Sequence, residues 1–170
     1  MSEIERRREF DALTRALRPE LFRYAFWLSR DRQLAEDVVQ EALLRAWRAW
    51  AELRDTTAAK SWLISIVRRE HARTYERKRL ETVDVADVEE QLSGPVDDPD
   101  LRAMRQAILG LEQEYREPLV LQVLMGYKAK EIADLMDMTS GAVLTRLHRA
   151  RARLREAMGI EPDDRREVPQ

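Results

Sequence analysis

KAKEIADLMDMTSGAVLTRLHRARARLRE, residues 128–156, is the stretch of sequence that decides the fold. Apolar residues near its start predict the inner face of a short helix, namely Ile132, Ala133 and Leu135. Residues 136–139 can form a turn, and Thr139 or Ser140 can cap a following helix. In that helix apolar residues recur at spacings of four, three and four, which predicts a buried face. The pattern therefore predicts a helix-turn-helix.

The other face of this second helix is strongly basic. At about 100° per residue, it presents Thr145, His148 and Arg149, with Arg146 and Arg153 on its flank. Residues 141–155 contain five arginines and no acid. A helix that is only exposed to solvent normally carries both acids and bases. In a helix-turn-helix, by contrast, the start of the second helix lies in the major groove of DNA, where a one-signed basic face is expected. We therefore expect DNA binding, although His148 by itself would more simply be an exposed polar residue.

Several classes of site are excluded by composition. The 170 residues include no cysteine and only His71 and His148, so we expect neither disulfides nor a metal site. We find no phosphate-binding glycine loop and no nucleophile with a nearby base, so we expect no catalytic residue, no cofactor and no enzyme. No apolar run approaches the roughly 20 residues that span a bilayer. The start of the chain lacks a signal peptide core, which predicts a cytoplasmic protein without membrane insertion.

The chain is predicted to be all-α, with two small helical domains joined by a flexible acidic linker. Abundant Ala, Leu, Glu and Arg with few Gly and Pro favour helices. Residues 81–101 contain eight acids and no base, and they lack a sustained helical stripe. The predicted divisions are an N-terminal helical bundle (1–80), the linker (81–99), a helix-turn-helix bundle (100–159) and a disordered tail (160–170).

Within the first domain, apolar spacing predicts a helical segment at about residues 4–29, with Pro19 starting a second helix. Further helices are predicted at about 33–50 and 61–80, separated by a loop over 51–60. In the second domain, one helical stripe is predicted before residue 112, and Pro118 is expected to open the next helix. The members of that stripe are Leu101, Met104, Ile108 and Leu111.

Three stretches carry a resemblance to a known family. AEDVVQEALLRAW (35–47) and SWLISIVRR (61–69) resemble the second conserved region of extracytoplasmic-function (ECF, group IV) sigma factors of the sigma-70 family and the helix that follows it. EIADLMDMTSGAVLTRLHRARARL (131–154) resembles the fourth region, in the same order and at the right separation. The resemblance implies a factor that directs core RNA polymerase to promoters in a stress or envelope response, usually under an anti-sigma factor.

The resemblance also implies contacts with core RNA polymerase. Asp37, Gln40 and Glu41 match positions that dock onto the clamp helices of the β′ subunit, and the second domain would meet the β flap. A compact face of carboxylates and an amide suits arginines on a partner helix. Without the resemblance, the same three residues would be interpreted as solubilising or capping residues.

Promoter DNA is the other implied partner. The loop before residue 61 and the helix after it match the part of the family that captures a flipped base of the −10 element, which a protein surface must stabilise. Trp62 could stack on a base, but core packing is the stronger expectation for Trp62 and for Trp47. The −10 candidates are Thr56, Lys60, Trp62, Arg68, Arg69, Arg73, Tyr75 and Arg77. The −35 candidates are Ser140, Gly141, Thr145, Arg146, His148, Arg149 and Arg153.

The sequence departs from the usual family pattern at four positions. Arg69 stands where the family often has Asn, and Arg73 where it often has Asp. Ala142 and Lys128 replace a usual Thr and Ser. These substitutions are compatible with helix surfaces and starts, and they predict a divergent subgroup with its own promoter preference.

Two other functions compete with a sigma factor. A stand-alone helix-turn-helix regulator would dimerise on a palindromic site without polymerase, which leaves the first domain unexplained. A helical adaptor acting only on proteins would leave the one-signed arginine face unexplained.

Overall fold

The computed structural model describes residues 2–78 and 98–161, and in this part of the chain the secondary structure is helical without strands. The first module contains α1 (Glu3–Ser29), α2 (Arg32–Ala49) and α3 (Ala59–Lys78). Two short 3-10 turns, Trp50–Glu52 and Thr56–Ala58, lie in the predicted loop between α2 and α3. The second module contains α4 (Pro99–Gly110), α5 (Gln113–Val123), α6 (Ala129–Met136) and α7 (Ser140–Ala157). The all-α prediction is confirmed.

Pro19 lies inside α1, so the prediction that it starts a second helix is wrong. Proline removes one backbone donor from a helix and favours a break there. Packing on both sides of Pro19 opposes that preference. Phe10 is buried against Trp47 and Trp50, with ring centroids 5.3 Å apart in each pair, and Leu21, two residues after Pro19, is buried as well. Tertiary contacts therefore keep both halves of α1 in one continuous helix.

Arg30 ends α1 in the left-handed conformation, with φ of 57°. Its backbone N–H donates to the carbonyl of Phe26 at 2.8 Å, which closes the last turn. Asp31 then caps α2 by accepting a hydrogen bond from the Leu34 N–H at 3.0 Å. Because only two residues separate the helices, α2 folds directly back on α1 and the two helices share a core.

The core of the first module lies where its three helices meet. Leu21 of α1, Val38 of α2 and Leu63 of α3 are each about 1% exposed. Trp47 and Trp62 are half-buried and pack against this core, as expected for both. Burying large apolar side chains contributes roughly 1.5–3 kcal/mol each, so this core fixes the positions of α2 and α3.

The second module packs α5 and α6 against α7 through Leu121, Ile132 and Leu147, all essentially buried. Pro118 is the sixth residue of α5 rather than its first, so the prediction that it opens a helix is wrong. Residues on either side of it are buried and hold the helix through it. The predicted stripe of α4 is buried only at its end, because Leu101 and Met104 are exposed while Leu111 is buried.

The two modules contact each other through α1 with α5 and α3 with α6. Most of the predicted linker (81–99) and tail (160–170) lies outside the described residues. Pro99, at the predicted linker's end, is the first residue of α4, and Asp98 caps that helix by accepting from the Asp100 N–H at 2.9 Å. Within residues 2–78 and 98–161, no helix combines the length and apolar character that a membrane crossing requires.

Candidate nucleic-acid interface

The predicted helix-turn-helix is formed by α6 and α7. Asp137 ends α6 in the left-handed conformation, with φ of 54°, and turns the chain sharply. Thr139 then caps α7, because its hydroxyl accepts a hydrogen bond from the Ala142 N–H at 3.1 Å. Val143, Leu147 and Ala150 are buried, so the inner face of α7 is the one that the spacing predicted.

The outer face of α7 is open to solvent. Thr145, His148 and Arg149 are exposed, as are Ser140 and Gly141 at the start of the helix. The Thr145 hydroxyl donates to the Gly141 carbonyl at 3.0 Å, which holds this side chain along the helix. The arrangement places short polar side chains near the N-terminus and a guanidinium one turn later. A recognition helix presents groups of both kinds to base edges and phosphates.

Two further arginines of α7 interact within their own module, and a third is half-buried. Arg153 lies 2.9 Å from a carboxylate oxygen of Glu112 and 4.2 Å from the Tyr115 ring centroid. The hydrogen bond with Glu112 raises the pKa of Arg153 above its usual value. Arg151 donates to the side-chain oxygen of Gln122. Arg146 is half-buried. Arg149 is therefore more open to an external partner than Arg153, which is partly engaged by its own module.

A groove of about 340 Å³ between α2 and α3 collects part of the predicted −10 set. Trp62, Arg69 and Arg73 line it from α3 at spacings of seven and four residues, which put them on one helix face. Arg45 and Arg48 line it from α2. Four guanidiniums around an indole can hold phosphates while a base stacks on the aromatic ring.

Glu70 lies buried beneath this groove. Its carboxylate is 2.5 Å from Nε of Arg45, a close ion pair without hydrogen-bond alignment, and 3.5 Å from an Nη of Arg73. One negative charge thus holds two of the groove's guanidiniums. Sequence reasoning missed Glu70 and Arg45. The sequence did contain a signal for Glu70: it is an acidic residue directly after the basic pair Arg68–Arg69, and the helical period places it on the buried face of α3.

The remaining −10 candidates are spread over other surfaces. Thr56 is exposed in the second 3-10 turn, and Tyr75 is exposed with its ring stacked on His71. Lys60 lies 2.6 Å from a carboxylate oxygen of Glu20 and 5.8 Å from the Tyr127 ring centroid. Arg77 is exposed and lines a different groove. The structure therefore brings together only part of the set.

That second groove, also about 340 Å³, brings together the three predicted docking residues. Asp37, Gln40 and Glu41 line one side from α2, and Arg77 lines the other from α3. Asp37 accepts a hydrogen bond from the Gln33 side chain at 3.0 Å, and Glu41 lies 3.2 Å from Nε of Arg45. Asp37 and Gln40 are exposed, so their polar atoms can meet a partner helix.

A buried polar junction joins the modules. The Tyr24 hydroxyl of α1 donates to Oε1 of Glu117 at 2.8 Å, and Nε of Arg68 donates to the same oxygen at 2.6 Å. Burial first, and then the Glu117 carboxylate, raise the pKa of Tyr24 well above its usual value. Arg116 donates across the junction to the Leu28 carbonyl at 3.2 Å. Arg30, which follows α1, donates to the Leu109 carbonyl at 3.3 Å.

Sequence reasoning missed this junction, although it assigned Arg68 to DNA. Arg116 and Glu117 are each 3% exposed. Ionised side chains are almost never fully buried without partners, so two adjacent charges inside the apolar run of α5 were the available signal. Burial lowers the pKa of Arg116 to about 10. Three backbone carbonyls accept from its guanidinium, at Leu28, Leu109 and Leu111.

Comparison with protein families matches two models in succession. Residues 13–81 match sigma-70 region 2, and residues 101–154 match sigma-70 region 4. SigM of Mycobacterium tuberculosis, an ECF RNA polymerase sigma factor, is 32% identical over 157 residues, covering 88% of this chain and 77% of the relative. SigL of the same species, also an ECF sigma factor, is 33% identical over 155 residues, covering 85% of this chain and 88% of the relative.

Solved structures show the same fold. The sigma factor RpoE of Bartonella quintana, in complex with the anti-sigma factor NepR, matches with a TM-score of 0.74 and 25% identity, covering 91% of this chain and 99% of that one. CnrH, in complex with the cytosolic domain of CnrY, matches with a TM-score of 0.65 and 23% identity. That match covers 92% of this chain and 91% of CnrH, and it supports the fold alone.

Proposed function

The chain belongs to the extracytoplasmic-function family of RNA polymerase sigma factors, and from this premise we propose which partner each of its surfaces contacts. Its function is to direct core RNA polymerase to promoters and start transcription there, under the control of an anti-sigma factor. The observation that carries this conclusion is the succession of region 2 and region 4 in one chain, with curated ECF sigma factors aligned across most of its length.

The outer face of α7 would read the −35 element as duplex DNA. Thr145 and, one turn later, Arg149 are exposed on the outer face of the helix, from which a recognition helix contacts base edges. Ser140, Gly141, Arg146, His148 and Arg153 would complete the contact with bases and phosphates. The cap at Thr139 supports this role because it fixes the direction in which α7 leaves the turn.

The groove between α2 and α3 would engage the opened −10 element. Trp62, Arg69 and Arg73 share one face with Arg45 and Arg48, so a base and its neighbouring phosphates could be held together. Arg45 and Arg48 extend the set found from sequence. Thr56, Lys60, Arg68, Tyr75 and Arg77 would contribute contacts outside the groove.

The groove that contains Asp37, Gln40 and Glu41 would dock onto the β′ clamp helices of core polymerase, and the second module would meet the β flap. An exposed carboxylate and amide beside Arg77 provide acceptors and a donor for a polar partner helix. We propose domain boundaries at 1–80 and 100–159, with the acidic segment 81–99 as the flexible connection. The chain would act in the cytoplasm, without chemistry of its own, in a stress or envelope response.

Run-off transcription tests the proposal. Purified chain, core RNA polymerase and DNA carrying promoters recovered from polymerase-bound fragments should give discrete start sites. Core polymerase alone should give none. Absence of both a start site and core binding would contradict the proposal, since a sigma factor requires both. Sizing the protein with and without core polymerase separates a sigma factor from a stand-alone regulator, which would form a dimer and bind duplex DNA without polymerase.

A further inference from the structure

Helix α3 presents two different faces, and only one of them is open. Trp62, Arg69 and Arg73 lie on the face that lines the open groove. Ser61 and Arg68, seven residues apart and hence on one line of the helix, face the second module instead. The Ser61 hydroxyl lies 3.4 Å from the Tyr127 hydroxyl, and Arg68 pairs with Glu117. The proposed −10 surface therefore has an open part, which includes the groove, and a smaller part at Arg68 that faces the second module.

The contact at Arg68 has the chemistry of a phosphate contact. The Glu117 carboxylate accepts from Nε of Arg68 at 2.6 Å, a charge-assisted bond of the kind that a guanidinium also makes with a phosphate oxygen. Two anions cannot occupy that position together, because they would compete for the same guanidinium N–H and repel each other. Glu117 is 3% exposed, so it is held there by the packing of the modules.

From this geometry we propose that Glu117 is an internal substitute for a nucleic-acid phosphate. It occupies Arg68 while the modules are together and releases it to the non-template strand when they separate. The inference rests on the proposed function, because it assumes that Arg68 meets DNA. It adds a regulatory step: the closed chain keeps its docking groove accessible but withholds the Arg68 contact of its −10 surface.

The junction is suited to opening and closing. Tyr24, Arg68 and Glu117 end in groups that water hydrates well, so separation exchanges protein hydrogen bonds for bonds to water. The Leu28 and Leu109 carbonyls, which accept from Arg116 and Arg30, can exchange in the same way. Interfaces between domains of one chain are commonly polar enough to allow relative motion. Asp37 and Gln40 remain exposed in the closed chain, so binding of core polymerase can precede opening.

Distance measurements on the full chain test the junction. Because the chain has no cysteine, cysteines introduced at the exposed residues Ala51 and Glu156 accept a pair of spin labels without background. The chain otherwise unchanged should give one narrow distance by double electron–electron resonance. Tyr24→Phe and Glu117→Gln should each shift the closed-to-open ratio by about tenfold or more toward longer distances, because each weakens a bond with the buried charge. Glu114→Gln, the same charge change on the exposed face of α5, should leave the distance unaltered.

A second readout tests competition with nucleic acid. The probe is a fluorescent single-stranded oligothymidine of about 15 nucleotides, long enough to cover one binding surface. Tyr24→Phe should tighten binding several-fold although it changes no charge. Glu114→Gln measures the gain that comes from losing one negative charge alone, and Glu117→Gln should exceed it. Circular dichroism should show unchanged helix content in all three variants.

The proposal is overturned if the spin-labelled chain with unchanged junction residues already gives a broad range of distances. It is also overturned if Tyr24→Phe and Glu117→Gln have the same distances and oligonucleotide affinity as Glu114→Gln. Longer distances without tighter oligonucleotide binding would also overturn it, because Arg68 would then not be the withheld contact. Both readouts work without polymerase. Failure of run-off transcription alone would therefore remove the proposed function and leave the junction measured on its own.

Discussion

Arg153 is held by Glu112 at 2.9 Å, although sequence pattern alone placed it among the arginines facing DNA. The pair joins the C-terminal part of α7 to the residue that precedes α5, and the Tyr115 ring lies beneath the guanidinium at 4.2 Å. Arg149, one turn earlier, is exposed. Two arginines on one helix therefore have different surroundings, and different roles follow.

Arg149→Ala should weaken binding to a −35 duplex by about 1–3 kcal/mol and relax preference at one base pair. Arg153→Ala should have a smaller effect, spread evenly over sequences, because that side chain already has an acidic partner. Fluorescence anisotropy with duplexes varied one base pair at a time measures both. Equal losses for the two variants, with no change in base preference, would mean that α7 contacts only phosphates.

Thr139→Ala should destabilise the chain by about 1 kcal/mol, because the Ala142 N–H loses its acceptor at the start of α7. Thr139→Ser keeps the hydroxyl and should retain most of that stability. Urea unfolding followed by circular dichroism gives the free energies. If the serine variant loses as much as the alanine variant, the hydroxyl is not what stabilises the turn.

Asp37→Arg should lower the affinity for core RNA polymerase by about tenfold or more, because it reverses a charge at the proposed contact. It should leave binding of α7 to duplex DNA unchanged, since Asp37 lies on the first module. Glu52→Arg makes the same charge reversal at an exposed residue outside the docking groove and serves as its control. Similar losses in both variants would show a general charge effect in place of a docking site.

The free energy of unfolding should fall as the pH is lowered from 6.5 to about 4, because His71 is buried and uncharged in the folded chain. Burial, and then the positive charges of Arg116 and Arg68, lower its pKa from 6.5 to about 4. The unfolded chain binds a proton in this range before the folded chain does, so up to about 3 kcal/mol of stability is present above pH 6.5 and lost as the pH falls. Two other titratable groups lie beside His71 on α3: Tyr75, whose ring stacks on the imidazole, and Glu70, the preceding residue.

The measurement is urea unfolding across this range for three chains. His71→Gln should flatten the pH dependence relative to the original chain, because glutamine does not titrate. His148→Gln removes the exposed histidine and should leave the dependence intact. An identical dependence in all three would assign the loss to carboxylates.

The helix-turn-helix could be predicted because its signals are local. The buried period of α7 and the cap at Thr139 depend on residues within a few positions of each other, and both are confirmed. Pro19 and Pro118 misled the prediction for the opposite reason. A proline's preference is local, but both lie where buried side chains before and after them hold the helix together.

The junction could not be predicted because its partners are distant in sequence. Tyr24 and Glu117 are 93 residues apart, and no period or spacing relates them. Sequence pattern predicted that Arg68 contacts DNA, but the partner that it has in the structure depends on how two modules meet. The two faces of α3 differ for the same reason: helical geometry assigns residues to a face, and only tertiary contacts decide which face is covered.

Arg30 satisfies two opposing demands with one residue. Its backbone adopts the left-handed conformation that glycine tolerates without penalty, at a cost of roughly 1–2 kcal/mol for any larger residue. Its side chain spans the junction to the Leu109 carbonyl, which glycine could not do. Arg30→Gly would therefore make the first module harder to unfold and the paired modules easier to separate. An arginine at this position therefore lowers the stability of one domain and strengthens the contact between the two.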